Sequence, residues 1–133
     1  MNIPFIENMG IEAQENGSLY LPFNQTLLNH LGTIHASAQF TLAETQSGFY
    51  LEIMFPEYGD KVVPLLRSSS VKYKYPASKD IYSVASASKE ALEKFESQFL
   101  KKGRAVIVIN VTVYDSDDII TMEGEFSWFI SKL

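Results

Sequence analysis

The chain has 133 residues, 46% hydrophobic and 20% charged, enough for a single domain over residues 1–133 with a buried core. It contains no cysteine, which excludes disulfides, thiolate metal sites and cysteine nucleophiles and leaves His30 and His35 as the only imidazoles. The net charge of −5 is unevenly spread, at −7 over residues 1–60, +6 over 61–104 and −4 over 105–133, which argues against general nucleic-acid binding while leaving room for a phosphorylated small ligand.

Neither a basic segment followed by an apolar run nor a stretch of about 18 apolar residues occurs, so a soluble, cytoplasmic protein without signal peptide or membrane span is expected. Residues 2–16 mix apolar positions with acids and end at the Asn16–Gly17 turn signal, predicting a short helical lead-in. Ser18 to Leu21 reads as a short strand stopped by Pro22, and residues 24–28 bridge into a polar loop. The stretch from Asn29 to Gly48 then organises the rest. Its loop carries Asn29 and His35, and the mostly apolar helix behind it carries Glu44. At about 100° per residue, Ser37, Thr41, Glu44 and Gly48 fall on one stripe, and Ala36, Phe40 and Ala43 on a greasy neighbour. A carboxylate so placed sits at the edge of a core, where desolvation raises its pKa and suits it to act as base or nucleophile. An ordinary exposed glutamate is the competing reading. The helix pattern continues to Phe55 with apolar residues all round the axis, as in a buried helix.

After Pro56 and the Tyr58–Gly59–Asp60 turn the period becomes two. Val71 to Tyr75 is a strand with Val71, Tyr73 and Tyr75 on one face, stopped by Pro76, and Ile81 to Ala85 is the next. Ser88 caps a helix whose Ala91, Leu92, Phe95, Phe99 and Leu100 share one side, and Lys101-Lys102-Gly103 end it. Ala105 to Tyr114 is apolar enough to be a central strand covered on both faces. After the Asp115–Asp118 turn, Ile120, Met122, Gly124, Phe126, Trp128 and Ile130 alternate with more polar neighbours. This order predicts an α+β domain in which an antiparallel sheet wraps one buried helix.

Asn29, His35, Leu42-Ala43 and Glu44 stand at a spacing that resembles hotdog-fold thioesterases of the phenylacetic-acid-pathway and 4-hydroxybenzoyl-CoA kind, and especially an uncharacterised domain family grouped with them. Those proteins carry Asn or Gln, then His-Gly-Gly, then Leu-Ala and an acid nine residues after the histidine. Val71 to Ala77 is similar to the family's strand ending in Arg-Pro, and Lys102-Gly103-Arg104-Ala105 to its Gly-Arg before the fourth strand, so the likeness runs from Met9 onward. The two glycines after the histidine are Ala36 and Ser37 here.

The resemblance implies a hotdog fold and hydrolysis of an acyl-CoA or acyl-carrier thioester, with no cofactor beyond the coenzyme A of the substrate. Glu44 would attack the carbonyl or deprotonate a water held by Asn29, and His35 would brace the loop or donate to the substrate. Amides near Ala36 and Ser37, at the positive end of the helix, would stabilise the oxyanion, with Thr41 and Gly48 lining the substrate. Arg67, Lys72, Lys74, Lys101, Lys102 and Arg104 are candidates for the coenzyme A phosphates. A homodimer paired along a sheet edge is implied, with a tetramer as a larger option. The alternatives are an idle acyl-CoA or acyl-carrier binding domain, motivated by Ala36 and Ser37, and a hotdog acyl-thioester dehydratase. On residue chemistry, Ser37 lacks a Gly-x-Ser-x-Gly setting and a third triad member, and two histidines without a ligand cluster predict no metal site.

Overall fold

A 19-residue helix, α2 (Ala36–Met54), lies across one antiparallel sheet. The computed structural model describes residues 2–133. Ahead of α2 come α1 (Pro4–Met9), β1 (Glu12–Ala13), β2 (Leu19–Leu21) and a 3-10 turn at Gln25–Leu27. After it come β3 (Val62–Tyr73), β4 (Ile81–Ser86), α3 (Lys89–Lys102), β5 (Arg104–Asp115) and β6 (Ile120–Lys132). The six strands are ordered β1-β2-β4-β5-β6-β3, every neighbouring pair antiparallel, which gives the mixed α+β architecture expected from the pattern.

Several details depart from the sequence pattern, among them the end of α2, expected to be buried all round, where Ile53 and Met54 are exposed. The lead-in is helical only to Met9, because Gly10 ends α1 in the left-handed region, and Glu12–Ala13 then pair with β2. β3 starts nine residues before Val71; Pro64 and the run Ser68-Ser69-Ser70 hide it, yet proline is tolerated because β3 is an edge strand with one unpaired side. β5 is central in the sheet but covered on one face only: Ala105, Ile107, Ile109, Val111 and Val113 are buried, whereas Val106 and Val108 are exposed. In β6 the alternation holds from Met122 onward, but a bulge opposite Val113 and Tyr114 buries Thr121 and turns Ile120 away from the core face. In α3, Phe95 and Phe99 are buried and the Ser88 Oγ accepts from the Ala91 amide at 3.0 Å, while Leu100 is 73% exposed.

The roll of α2 about its axis is set by buried polar contacts. Gln46, 2% exposed, accepts through Oε1 from the Leu19 amide at 2.7 Å and the Ser83 hydroxyl at 2.8 Å, and donates through Nε2 to the Gly17 carbonyl at 3.0 Å. Ser47, about 100° further round, receives the Trp128 indole N–H on Oγ at 2.8 Å. Two anchors on adjacent faces leave the helix one orientation. Leu42, Ala43 and Leu51 then complete the core with Phe126, Ile130 and the inward residues of β5.

Because Leu19 and Ser83 are fully buried, Gln46→Leu should strand the Leu19 amide and the Ser83 hydroxyl. We expect a loss of about 3 kcal/mol, read from the urea midpoint. An unchanged midpoint would show that these bonds do not hold the helix.

Candidate active site

The start of α2 is built by a turn and a cap. Asn29 donates through Nδ2 to the Thr33 hydroxyl at 2.9 Å and accepts on Oδ1 from the Leu31 and Thr33 amides at 2.9 and 3.1 Å, and Gly32, at φ +77°, closes the turn. The His35 amide donates to the Leu27 carbonyl and the Ile34 amide to that of Ala77, tying the loop to the body of the protein. His35 is the N-cap, and its Nδ1 accepts from the Ser37 amide at 3.0 Å. An accepting Nδ1 is unprotonated, so the imidazole N–H lies on Nε2. Of the two amides expected to receive an oxyanion, that of Ser37 is thus occupied by the cap, and that of Ala36 makes no hydrogen bond among the described residues. Tyr73, at the end of β3, donates its hydroxyl to the Ala36 carbonyl at 3.2 Å.

Glu44 lies eight residues into α2, about 12 Å along the axis from Ala36 at 1.5 Å per residue. It is half-buried and forms part of the wall of an apolar cavity of about 690 Å³ between α1, α2, β3 and β6. Burial raises the Glu44 carboxyl above the usual carboxylate range, and among the described residues neither an ion pair nor a hydrogen bond to the carboxylate offsets it. The Ser47 hydroxyl donates to the Glu44 carbonyl at 2.6 Å while accepting from Trp128, so the indole and this turn of helix are linked. Gly48 lets the indole close on the helix, since a Cβ there would stand 3.2 Å from Trp128 Cζ2.

The stripe of four small or polar residues therefore divides. Glu44 and Gly48 face the larger cavity, whereas Ser37 and Thr41 join His35 around a second cavity of about 250 Å³. Thr41 is buried, with its hydroxyl donating to the Ser37 carbonyl at 2.9 Å. Asn29 lines neither cavity, and its carboxamide serves its own turn.

The six basic candidates do not form one cluster. Arg67 stacks on Phe129, 4.4 Å from the ring centroid. Arg104 lies in register with Ser131 and Val63, near one end of the sheet, and Lys101 and Lys102 end the helix that precedes it. Lys72, in register with Glu123, and Lys74 lie at the other end, about 30 Å away at ~3.3 Å per residue.

Sequence reasoning reads Tyr73 and Trp128 as core or interface aromatics rather than as site residues, and it misses Phe5. In the pattern Trp128 is one more apolar position in an alternating strand. Tyr73 shares the face of Val71, and nothing in the pattern says that the strand ends over the helix start. Phe5 belongs to a lead-in with no periodicity, yet it lines both cavities. Among the described residues no group of three or more His, Asp or Glu side chains is arranged to hold a metal, and no helix is long and apolar enough to cross a membrane.

Residues 4–130 match the family described as a domain of unknown function, DUF4442. No curated protein matches the chain. Among solved structures, a Pseudomonas aeruginosa protein described as a probable thioesterase is 22% identical, with 98% of this chain and 89% of that one covered and a TM-score of 0.84. A Bacillus halodurans protein crystallised with CoA is 20% identical, with 98% and 77% covered and a TM-score of 0.75. A Haemophilus influenzae thioesterase is 11% identical, with 99% and 85% covered and a TM-score of 0.77. At these identities the likeness is one of fold.

The raised Glu44 pKa carries a stability consequence. The folded state favours the protonated carboxyl, so this site's contribution is greatest below the unfolded pKa and is lost as pH rises through the folded one. Glu44→Gln, which cannot ionise, should therefore melt above the wild type at neutral pH and alongside it in acid, as followed by thermal denaturation across pH. A variant that melts lower at neutral pH would mean that the carboxylate is stabilised in the fold.

Proposed function

The chain belongs to the DUF4442 family, and from that premise we propose that it is a hotdog-fold thioesterase that hydrolyses acyl-CoA, or an acyl-carrier thioester, with its own side chains and no resident cofactor. The observation that carries this is Glu44, a half-buried carboxylate with no partner among the described residues, on the wall of an apolar cavity. Such a group has its basicity raised by desolvation and nothing competing for its lone pairs. The fold shared with proteins described as thioesterases, and with one crystallised with CoA, supports the same choice of chemistry.

A nucleophile or base and its oxyanion donors must both lie about 3 Å from one reacting centre, and Glu44 and the Ala36 amide are too far apart along one helix for that. The proposed site is therefore composite: Glu44 and its cavity come from one protomer and the start of α2 from the partner of a homodimer. The long outer strand β3, whose free edge is unpaired, is the surface through which such a pair would form. The Ala36 amide and His35 Nε2–H donate to the developing oxyanion, while His35 Nδ1 holds the Ser37 amide and fixes the cap. Asn29 keeps one Nδ2 hydrogen beyond the one given to Thr33, enough to orient a water or the thioester oxygen.

Glu44 either attacks the carbonyl, giving an anhydride that water then opens, or removes a proton from the attacking water. In both routes the C–S bond breaks in the tetrahedral intermediate and the coenzyme A thiolate departs. Lys72 and Lys74 flank Tyr73, which reaches the α2 start, so they are the bases proposed to meet the phosphates. The competing reading, an idle binding domain, rests on the occupied Ser37 amide and on Ala36 in place of a glycine.

Free-thiol release from an acyl-CoA panel tests the proposal. Glu44→Gln should bind substrate and lose turnover, and wild-type activity should rise with pH through an apparent pKa above the usual carboxylate range. His35 has φ −59° and ψ 141°, compatible with a following proline, so Ala36→Pro should fold and delete only the donor, lowering kcat about a hundredfold or more. Co-assembling Glu44→Gln and Ala36→Pro chains should then recover one working site per dimer. Tight binding without turnover in the wild type would establish the binding-domain reading instead. Absence of recovery in mixed dimers would remove the composite site.

A further inference from the structure

The larger cavity follows α2 from Glu44 to Phe55, about 16 Å of axis at 1.5 Å per residue, and is lined at its far end by Phe55, Tyr58 and Phe95. Its charged groups are Glu44 and the exposed Glu52, both acidic, which disfavours an occupant carrying a carboxylate of its own. The second cavity is bounded by His35, Ser37, Ala38 and Thr41, one to two turns before Glu44. Phe5 lines both. It is held there by α1, whose Ile6 is buried, although Phe5 itself is 62% exposed. An aromatic ring left so open to water does little for the core, but among the described residues it is the one that lines both cavities.

We propose that Phe5 determines acyl specificity: by walling the Glu44 cavity off from its neighbour, it restricts the cavity to unbranched aliphatic chains and refuses acyl groups that are broad next to the carbonyl. This rests on the thioesterase reading for the carbonyl's position, but the shape of the cavity can be tested apart from it. Removing the ring joins the two spaces beside Glu44, where an aryl or branched group would need width, and leaves the long end unchanged. Since Phe5 is mostly exposed, its truncation costs the fold little.

Trp128, the single tryptophan, lines the cavity and reports contact with a brominated ligand by fluorescence quenching. The neutral probes ω-bromododecanol and para-bromobenzyl alcohol should quench the wild type unequally, the first saturably and about tenfold more tightly, the scale on which an apolar pocket discriminates by a few atoms. Phe5→Ala should bring the aryl probe up to the dodecyl one, and Phe5→Leu, which restores bulk, should keep most of the wild-type preference. Rates with dodecanoyl-CoA and benzoyl-CoA should shift in the same direction. An unchanged probe ratio in Phe5→Ala overturns the proposal. So does the absence of saturable quenching by the dodecyl probe, as when a partner subunit fills the cavity. Expected quenching with no hydrolysis of either thioester would refute the hydrolase reading and leave Phe5's role standing, whereas hydrolysis without quenching would do the reverse.

Discussion

The hydrogen bonds of Gln46 fix how the central helix faces the sheet, and the rest of the site depends on that angle. Taking Gln46 as the origin, Ser47 lies near 100°, Glu44 near 160° and Gly48 near 200° on a helical wheel. With Gln46 bound to β2 and β4 and Ser47 bound to Trp128 of β6, Glu44 and Gly48 are carried beyond β6 towards the outer strand β3. An apolar side chain at Gln46 would fill the same space without specifying a roll, because hydrophobic contact is not directional while a buried amide with three partners is.

That angle sets two opposed electrostatic environments on one helix. At its start, a cap and a free amide present hydrogen-bond donors and the positive end of the dipole. Two turns on, burial holds a carboxylate whose charged form is disfavoured, with no cation paired to it among the described residues. An enzyme acting on a thioester uses both, but a straight helix keeps them about 12 Å apart. In the proposed homodimer, a second copy of the helix from the partner would remove the conflict without bending either one. Of the two edge strands, β3, whose Val62 and Pro64 share the cavity wall with Glu44, is 12 residues long, whereas the opposite edge, β1, has two residues.

The proposed chemistry draws on the same His35 cap that starts the helix. Its Nδ1 satisfies one of the orphan amides that begin every helix, and that bond sets which nitrogen keeps the proton. Alanine and serine in place of two glycines change what lies beside the donors more than the donors themselves, since every residue except proline supplies a backbone N–H. Serine's amide is nevertheless the one the cap takes up, so the local sequence decides which amide is left free.

Local chemistry determined much on its own. The Ser88 cap and Gly103 stop of α3, the turn at Asn29, the position of β5 among the strands and the placing of Glu44 at the edge of a core all follow from propensities and periods acting over a few residues. What tertiary structure alone decided is long-range. Pro64 and three serines belong to a strand only because that strand is outermost; Thr121 is buried only because a bulge offsets its partner; Phe5, from a six-residue helix, lines two cavities only because the chain folds α1 against α2. Likewise a stripe that is continuous on a helical wheel divides between two cavities, since spacing along a helix gives direction around the axis but not what another element places in front of each residue.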